Sequence, residues 1–335
     1  MQAAFFSLLP ALAMAYLGAG YWALVAISAL NSLITCALLW VKCSWRPDFH
    51  WPSARIKSFL GFGAGISGFN IINYFSRNLD NVLIGKYLGS GPLGLYSKAY
   101  QLLMLPITQL RDPLNSVGIP AMSSLRAEPG RYRHYYSQFL FFMAFFSMPI
   151  TLFLLVNAEA LILLSLGAQW VEAIGIFQLL AITAFIQPVA STRGMVMISS
   201  GLSTRYFYWG LANAIVVTLA FVIGIRFGLS GIAIAYAIAN YLILIPSLYY
   251  CFAKTPVTVG QFLRSILAPA STALFAAGMN YMALRSLAVD SLWLQLGTGL
   301  LSFGLSYLGL WALLPPLRPR LKELLTIAKS IKKKP

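Results

Sequence analysis

Six charged side chains stand where a chain this apolar should hold none. Arg77 and Asp80, Lys98, Arg111 and Asp112, and Arg193 fall inside stretches otherwise suited to a hydrocarbon core. A charge at the centre of a bilayer costs roughly 2.5–3.5 kcal/mol on insertion scales, so such residues usually face an interior cavity and serve a ligand or ion path. Four are cations and two are carboxylates, which points to an anionic ligand. Guanidinium suits phosphate well, because its planar fork can donate two parallel hydrogen bonds. Arg77, Lys98, Arg111 and Arg193 are therefore candidate substrate-binding residues, with Asn73, Asn81, Gln101 and Gln109 as polar neighbours. Asp80 and Asp112 are candidates for ion coupling or for structural pairing.

Helical geometry orders these residues. At 100° per residue, Ser67, Asn70, Asn73, Tyr74, Arg77, Asp80 and Asn81 fall within about 140° of one another, while Ile71, Ile72, Phe75, Leu79 and Val82 take the other side. A second stripe gathers Lys98, Gln101, Thr108, Gln109, Asp112 and Asn115 on one face. Two consecutive helices with full-length polar stripes stay out of lipid most simply by facing a common hydrated cavity. The stripes could instead knit helices together, with Arg77 and Asp80 bridged at i, i+3. Arg193 lies near the end of its helix, where a long side chain can also snorkel to the interface.

The elements that carry them are membrane helices. Of the 335 residues 59% are hydrophobic and 10% charged, against roughly 25% charged in soluble domains, and the mean hydropathy is +0.76. Apolar runs long enough to cross about 30 Å of hydrocarbon recur from end to end. The ten expected spans are 3–17, 21–41, 61–84, 93–120, 135–156, 173–199, 204–225, 229–252, 262–285 and 291–314. The fold class is all-α, a polytopic bundle. Pro106, Pro113 and Pro120 recur in the fourth span, Pro188 interrupts the sixth and Pro246 the eighth, each removing a backbone hydrogen bond. The gap 42–60 holds Trp45, Pro47, Trp51, Pro52 and four basic residues and suits a segment lying along the headgroups.

A net charge of +16 would suggest nucleic acid in a soluble protein, but here the basic residues sit between apolar runs. With Met1 placed in the cytoplasm and the spans alternating, seventeen Lys/Arg fall on the cytoplasmic side, three (Lys86, Arg226, Arg285) outside and four within spans. That asymmetry is the positive-inside rule and puts both termini in the cytoplasm. Cys36, Cys43 and Cys251 have no metal-ligand spacing and read as free thiols. His50 and His134 stand alone in loops, and Gly61–Gly65 opens a membrane helix with no strand before it. No metal, cofactor or catalytic set is expected, so the chain reads as a non-enzyme. Nucleic acid is not an expected partner.

The hairpin Gly18–Leu39 resembles Gly228–Tyr249 at an offset of 210, with Gly18 matching Gly228, Ala23 matching Ala233 and Ala29 matching Ala239. Both hairpins run in the same sense, as in a parallel repeat about the membrane normal. If residues 61–252 are the complete second copy, four helices, or about 150 residues by the offset, are expected before Met1.

The stretch Asn78–Leu102, NLDNVLIGKYLGSGPLGLYSKAYQL, resembles the signature of Wzx-type polysaccharide flippases, in the branch of colanic and teichuronic acid exporters. Leu105–Pro120, Leu166–Trp170 and Gly228–Tyr236 extend the likeness. The resemblance places the chain in the multidrug/oligosaccharidyl-lipid/polysaccharide exporter superfamily and implies two six-helix lobes around a central cavity. On that plan, 1–41 is the last hairpin of the N-terminal lobe and 42–60 a cytoplasmic interfacial linker. Residues 61–252 form the C-terminal lobe, 262–314 an extra helix pair, and 315–335 a polybasic cytoplasmic tail. The implied function is alternating-access flipping of an undecaprenyl-pyrophosphate-linked oligosaccharide across the bacterial inner membrane, for exopolysaccharide or lipopolysaccharide synthesis. Its implied partners are membrane lipids and polysaccharide polymerase machinery. Two alternatives stand beside it: a drug/cation antiporter of the same superfamily, which calls for carboxylates in the cavity, and a membrane oligosaccharide polymerase or ligase, which calls for a large external loop.

The topology makes a direct prediction. Single cysteines replacing Lys86 and Arg131 should react with an impermeant thiol reagent from opposite sides of the membrane, and labelling of both from one side would overturn the ten-span arrangement.

Overall fold

The computed structural model describes residues 2–43, 53–287, 291–315 and 317–319. Twelve α-helices and two 3₁₀ turns make up the regular structure among them. The chain divides into two compact units between Ile56 and Lys57.

The first unit is a helical hairpin of α1 (Gln2–Tyr16) and α2 (Trp22–Lys42). Gly18 turns it at φ 81°, a left-handed conformation that a side chain would resist.

The second unit holds α3 (Ser53–Tyr87, from Lys57 onward), α4 (Ser90–Ser124), α5 (Pro129–Val156), α6 (Ala158–Ser165), α7 (Ala173–Ala184), α8 (Gln187–Ser199), α9 (Ser203–Gly224), α10 (Gly228–Phe252), α11 (Val259–Leu287) and α12 (Leu292–Leu313). Six stretches are long and apolar enough to cross a membrane by length and composition, and one of them, Ser203–Phe252, contains both α9 and α10. α3 and α4 are longer still, at 35 residues each, but carry the polar stripes. Large apolar side chains such as Leu242, Leu267 and Leu305 face outward, as lipid permits and water would not.

A helix lies at each expected span, with three differences. Ser53–Leu60, expected in the linker, belong to α3; Trp45, Pro47, His50, Trp51 and Pro52 lie outside the described residues, as do the tail residues from Arg320 onward. The gap 157–172 contains α6 and a 3₁₀ turn, Ala168–Trp170. The expected span 173–199 is two helices. Its break follows from Pro188, which is tolerated in the first turn of α8 because its missing N–H would be unpaired there anyway. Ile186 N–H tightens onto Thr183 O at 3.3 Å, which releases Ile182 O from its ordinary helical partner. Tyr241 of α10 donates its hydroxyl to that carbonyl at 2.9 Å.

The same device joins the C-terminal pair to the rest of the unit. Pro149 inside α5 has no N–H to offer Phe145 O, and Tyr307 of α12 supplies the hydrogen bond at 2.9 Å. Trp311, fully buried, packs against Phe141 and Phe145 at ring-centroid distances of 5.5 and 5.1 Å and donates from Nε1 to Thr272 Oγ1 at 3.1 Å. The pair α11–α12 thus shares one core with α5, α8 and α10. A second core, of residues from α3, α4, α6, α7, α9 and α10, includes Phe221 and Tyr236, which also line the polar cavity described below.

The match between Pro149 and Tyr307 predicts a coupling. Tyr307→Phe should destabilise the detergent-solubilised protein by about 0.6 kcal/mol, and at most about 1.7. In a Pro149→Ala background the restored N–H reclaims the carbonyl, so the same substitution should cost less. Equal costs in the two backgrounds, measured by thermal unfolding, would show that the hydroxyl serves another purpose.

Candidate functional site

Polar side chains from five helices converge on a cavity of about 350 Å³ inside the second unit. α3 contributes Asn70, Asn73, Ser76 and Asp80, and α4 contributes Tyr100, Arg111, Asp112 and Asn115. The facing wall is Gln187, Ser191 and Arg193 of α8, Tyr206, Trp209 and Asn213 of α9, and Tyr236 and Asn240 of α10. A second cavity, of about 450 Å³, opens between α3 and α4 and shares Asp80 and Tyr100 with the first.

The α3–α4 hairpin is clasped by its own polar residues. Gly89, at φ 93°, makes the turn. Tyr96 then donates to Asp80 Oδ2 at 2.8 Å, and one residue along each helix Ser97 donates to Asn81 Oδ1 at 3.3 Å. The stretch that carries the family resemblance is this clasped hairpin.

Arg111 donates from Nε to Asp112 Oδ1 at 2.9 Å; the arginine is 19% exposed and the aspartate 63%. Arg193 is held differently. Its Nη1 donates to Ser247 Oγ of α10, and its guanidinium lies 4.9 Å from the centroid of the Trp209 ring. No carboxylate pairs with it among the described residues. Gln187 Nε2 donates to Tyr236 Oη at 2.7 Å, closing the wall between α8 and α10.

Of the residues expected from sequence, Asn73, Asp80, Arg111, Asp112 and Arg193 line the first cavity. Asn81 and Gln101 line the second. Lys98 and Gln109 are exposed and line neither, with Lys98 donating to Gln101 Oε1 at 3.5 Å. Arg77 takes its place on α3, but its side chain lies outside the described ones, and with it the expected Arg77–Asp80 pair. Among described side chains the first cavity is lined by two arginines and two aspartates, and Lys98 stands exposed outside it.

Sequence reasoning missed the wall from α8, α9 and α10 apart from Arg193. A signal was present: Asn213 and Asn240 are isolated amides within strongly apolar helices, and such groups seek a polar surface.

Residues 1–175 match the family described as polysaccharide biosynthesis protein. The chain belongs to that family. The matched residues include the α3–α4 hairpin, while the wall from α8 to α10 lies beyond them. The chain is 25% identical over 226 residues to the teichuronic acid biosynthesis protein TuaB of Bacillus subtilis, covering 67% of this chain and 47% of that one. It is 24% identical over 256 residues to the lipopolysaccharide biosynthesis protein WzxC of Escherichia coli, covering 74% and 52%. The chain spans about half the length of these relatives. Its fold is similar to that of the lipid II flippase MurJ in an inward closed conformation. The TM-score is 0.69 at 12% identity, over 92% of this chain and 66% of that one.

A hydrated cavity predicts a labelling pattern along α9. With Cys36, Cys43 and Cys251 replaced, Asn213→Cys should react with a hydrophilic maleimide and Ile215→Cys, on the outward apolar side, should not. Equal reactivity at both would mean that water does not reach this wall.

Proposed function

We propose that the chain moves a lipid-linked oligosaccharide, one carried on undecaprenyl pyrophosphate, across the bacterial inner membrane by alternating access. The cavity takes the phosphate-bearing headgroup while the prenyl tail stays in lipid, and both termini lie in the cytoplasm. Polysaccharide polymerase machinery is the expected consumer of the product.

The observation that carries this reading is Arg193, a guanidinium at cavity depth with only neutral partners among the described residues. Its positive charge is therefore left to attract an anion, and in a poorly solvated site that attraction is stronger than in water. Arg111 assists from the opposite wall, though Asp112 offsets part of its charge. Hydroxyl-rich ligands need hydrogen-bond donors and acceptors around the charge, and Asn70, Asn73, Asn115, Asn213 and Asn240 supply them. Asn115 Oδ1 is buried and takes no donor among the described residues, so an acceptor remains open. The named roles of the relatives in teichuronic acid and lipopolysaccharide synthesis support the saccharide class. The antiporter alternative is weakened by the engagement of both carboxylates, Asp80 with Tyr96 and Asp112 with Arg111.

The test is polysaccharide export in a strain lacking its own flippase, with membrane level of the protein measured in parallel. A charged hydrogen bond is worth about 1.5–3 kcal/mol, so Arg193→Gln should weaken headgroup binding roughly ten- to hundredfold and cut export while insertion persists. Arg193→Lys should recover only part, since a point charge lacks the fork. Lys98→Gln should export normally. Full export by Arg193→Gln would remove the basis of the proposal.

A further inference from the structure

One turn outside the cavity stands a second guanidinium that the functional reading does not use. Arg205, in the first turn of α9, lies over the Tyr250 ring of α10 with Cζ 4.4 Å from its centroid, and its Nη2 donates to Tyr250 O. Its Nε is buried and finds no acceptor among the described residues. Arg193 repeats this arrangement deeper in the same groove, over Trp209 of α9 and bonded to Ser247 of α10. Trp209 is four residues beyond Arg205 and Ser247 three before Tyr250, so the two guanidiniums are offset by about one helical turn, roughly 5.4 Å along the axis. Between them the Trp209 and Tyr250 rings, 6.5 Å apart, form a wall.

The outer end of this ladder is strongly basic. Tyr132 of α5 bonds Ser199 Oγ at 2.7 Å, which brings the α4–α5 turn beside the α8–α9 turn where α9 begins and α10 ends. The described basic residues near these helix ends are Arg126, Arg131, Arg133, Arg205, Lys254 and Arg264. The described acid there is Glu128, already bonded to Arg131 at 3.0 Å.

We propose that Arg205 is the admission site for the diphosphate of the lipid-linked substrate, which it receives at the cavity mouth and hands inward to Arg193. This rests on the flippase reading and goes beyond it, assigning association to Arg205 and retention to Arg193. The aromatic wall fixes both guanidiniums in place, so the diphosphate moves between preset positions and neither side chain has to swing.

The test uses the full chain in liposomes, with farnesyl pyrophosphate as the prenyl diphosphate and inorganic pyrophosphate as competitor. For the wild type, association should slow as salt rises, because long-range attraction is screened. Arg205→Gln should slow association about tenfold, flatten its salt dependence and leave dissociation unchanged, whereas Arg193→Gln should speed dissociation. Arg205→Lys should restore the salt dependence, which a purely structural cap on α10 would not require. Should Arg205→Gln fail to insert, Thr204→Glu offsets the same cation from an exposed neighbouring position and should slow association alike. Unchanged association and salt dependence in these variants would overturn the admission role while leaving the flippase reading intact. Failure of the wild type to bind farnesyl pyrophosphate would overturn both. Inorganic pyrophosphate should compete in the wild type and compete about tenfold more weakly in Arg205→Gln. Equal competition by phosphatidylglycerol vesicles would assign the site to membrane phospholipid and overturn the proposal.

Discussion

Hydrocarbon donates and accepts no hydrogen bonds, and the second unit is built around that constraint. A backbone carbonyl released inside a membrane helix must find a donor from another helix. Tyrosine is suited to the task, since its ring is at home among apolar groups while its hydroxyl reaches across. Pro149 frees Phe145 O and Tyr307 takes it; the tightened turn before Pro188 frees Ile182 O and Tyr241 takes it. In both places the backbone hydrogen bond lost within one helix is replaced by a tie to a neighbour. The bends needed to shape a cavity therefore also fix the packing of α5 with α12 and of α7 with α10.

The same rule governs the charges. Asp80 is acceptable at depth because Tyr96 and the Asn81 N–H donate to it, and Arg111 because Asp112 is adjacent. Arg193 gives one donor to a serine and lies against an aromatic face, neither of which cancels its charge. Structural satisfaction and electrostatic neutrality are separate requirements. Where a site meets the first and not the second, the remaining field is available to a ligand.

Much of this is legible in the residues alone. A helix stands at each expected span, and the α3 stripe is readable because seven polar residues at helical spacing outweigh the surrounding apolar ones. Gly18 and Gly228, paired in the expected repeat, both adopt positive φ, 81° and 73°. The α4 stripe misleads in part. A helical wheel gives the face of a residue but not what stands opposite at each level. Over 35 residues one face passes from exposed surface at Lys98, to the second cavity at Gln101 and Thr108, to the first at Asp112 and Asn115. The wall from α8 to α10 is illegible for the opposite reason. One or two polar residues per helix produce no stripe, and their convergence depends on the crossing of three helices, which no local period encodes.

Both requirements, satisfied donors and an uncancelled charge, meet in the placement of α8. It is a half-helix of 13 residues, cut from α7 by the turn at Phe185–Ile186 and ended by Gly201 at φ 71°. On its side toward α5, Thr192 and Ser199 bond Tyr136 at 3.0 Å and Tyr132 at 2.7 Å. On its cavity side it presents Arg193. A continuous helix from α7 would fix that guanidinium by the α7 register alone. The break instead lets α8 take its orientation from α5, through the two tyrosines, and from α10, through Ser247. With α8 set by α5 and α10, and the guanidinium laid against Trp209 of α9, the side chain has few ways to turn, so its charge is pre-set and less ordering entropy opposes binding.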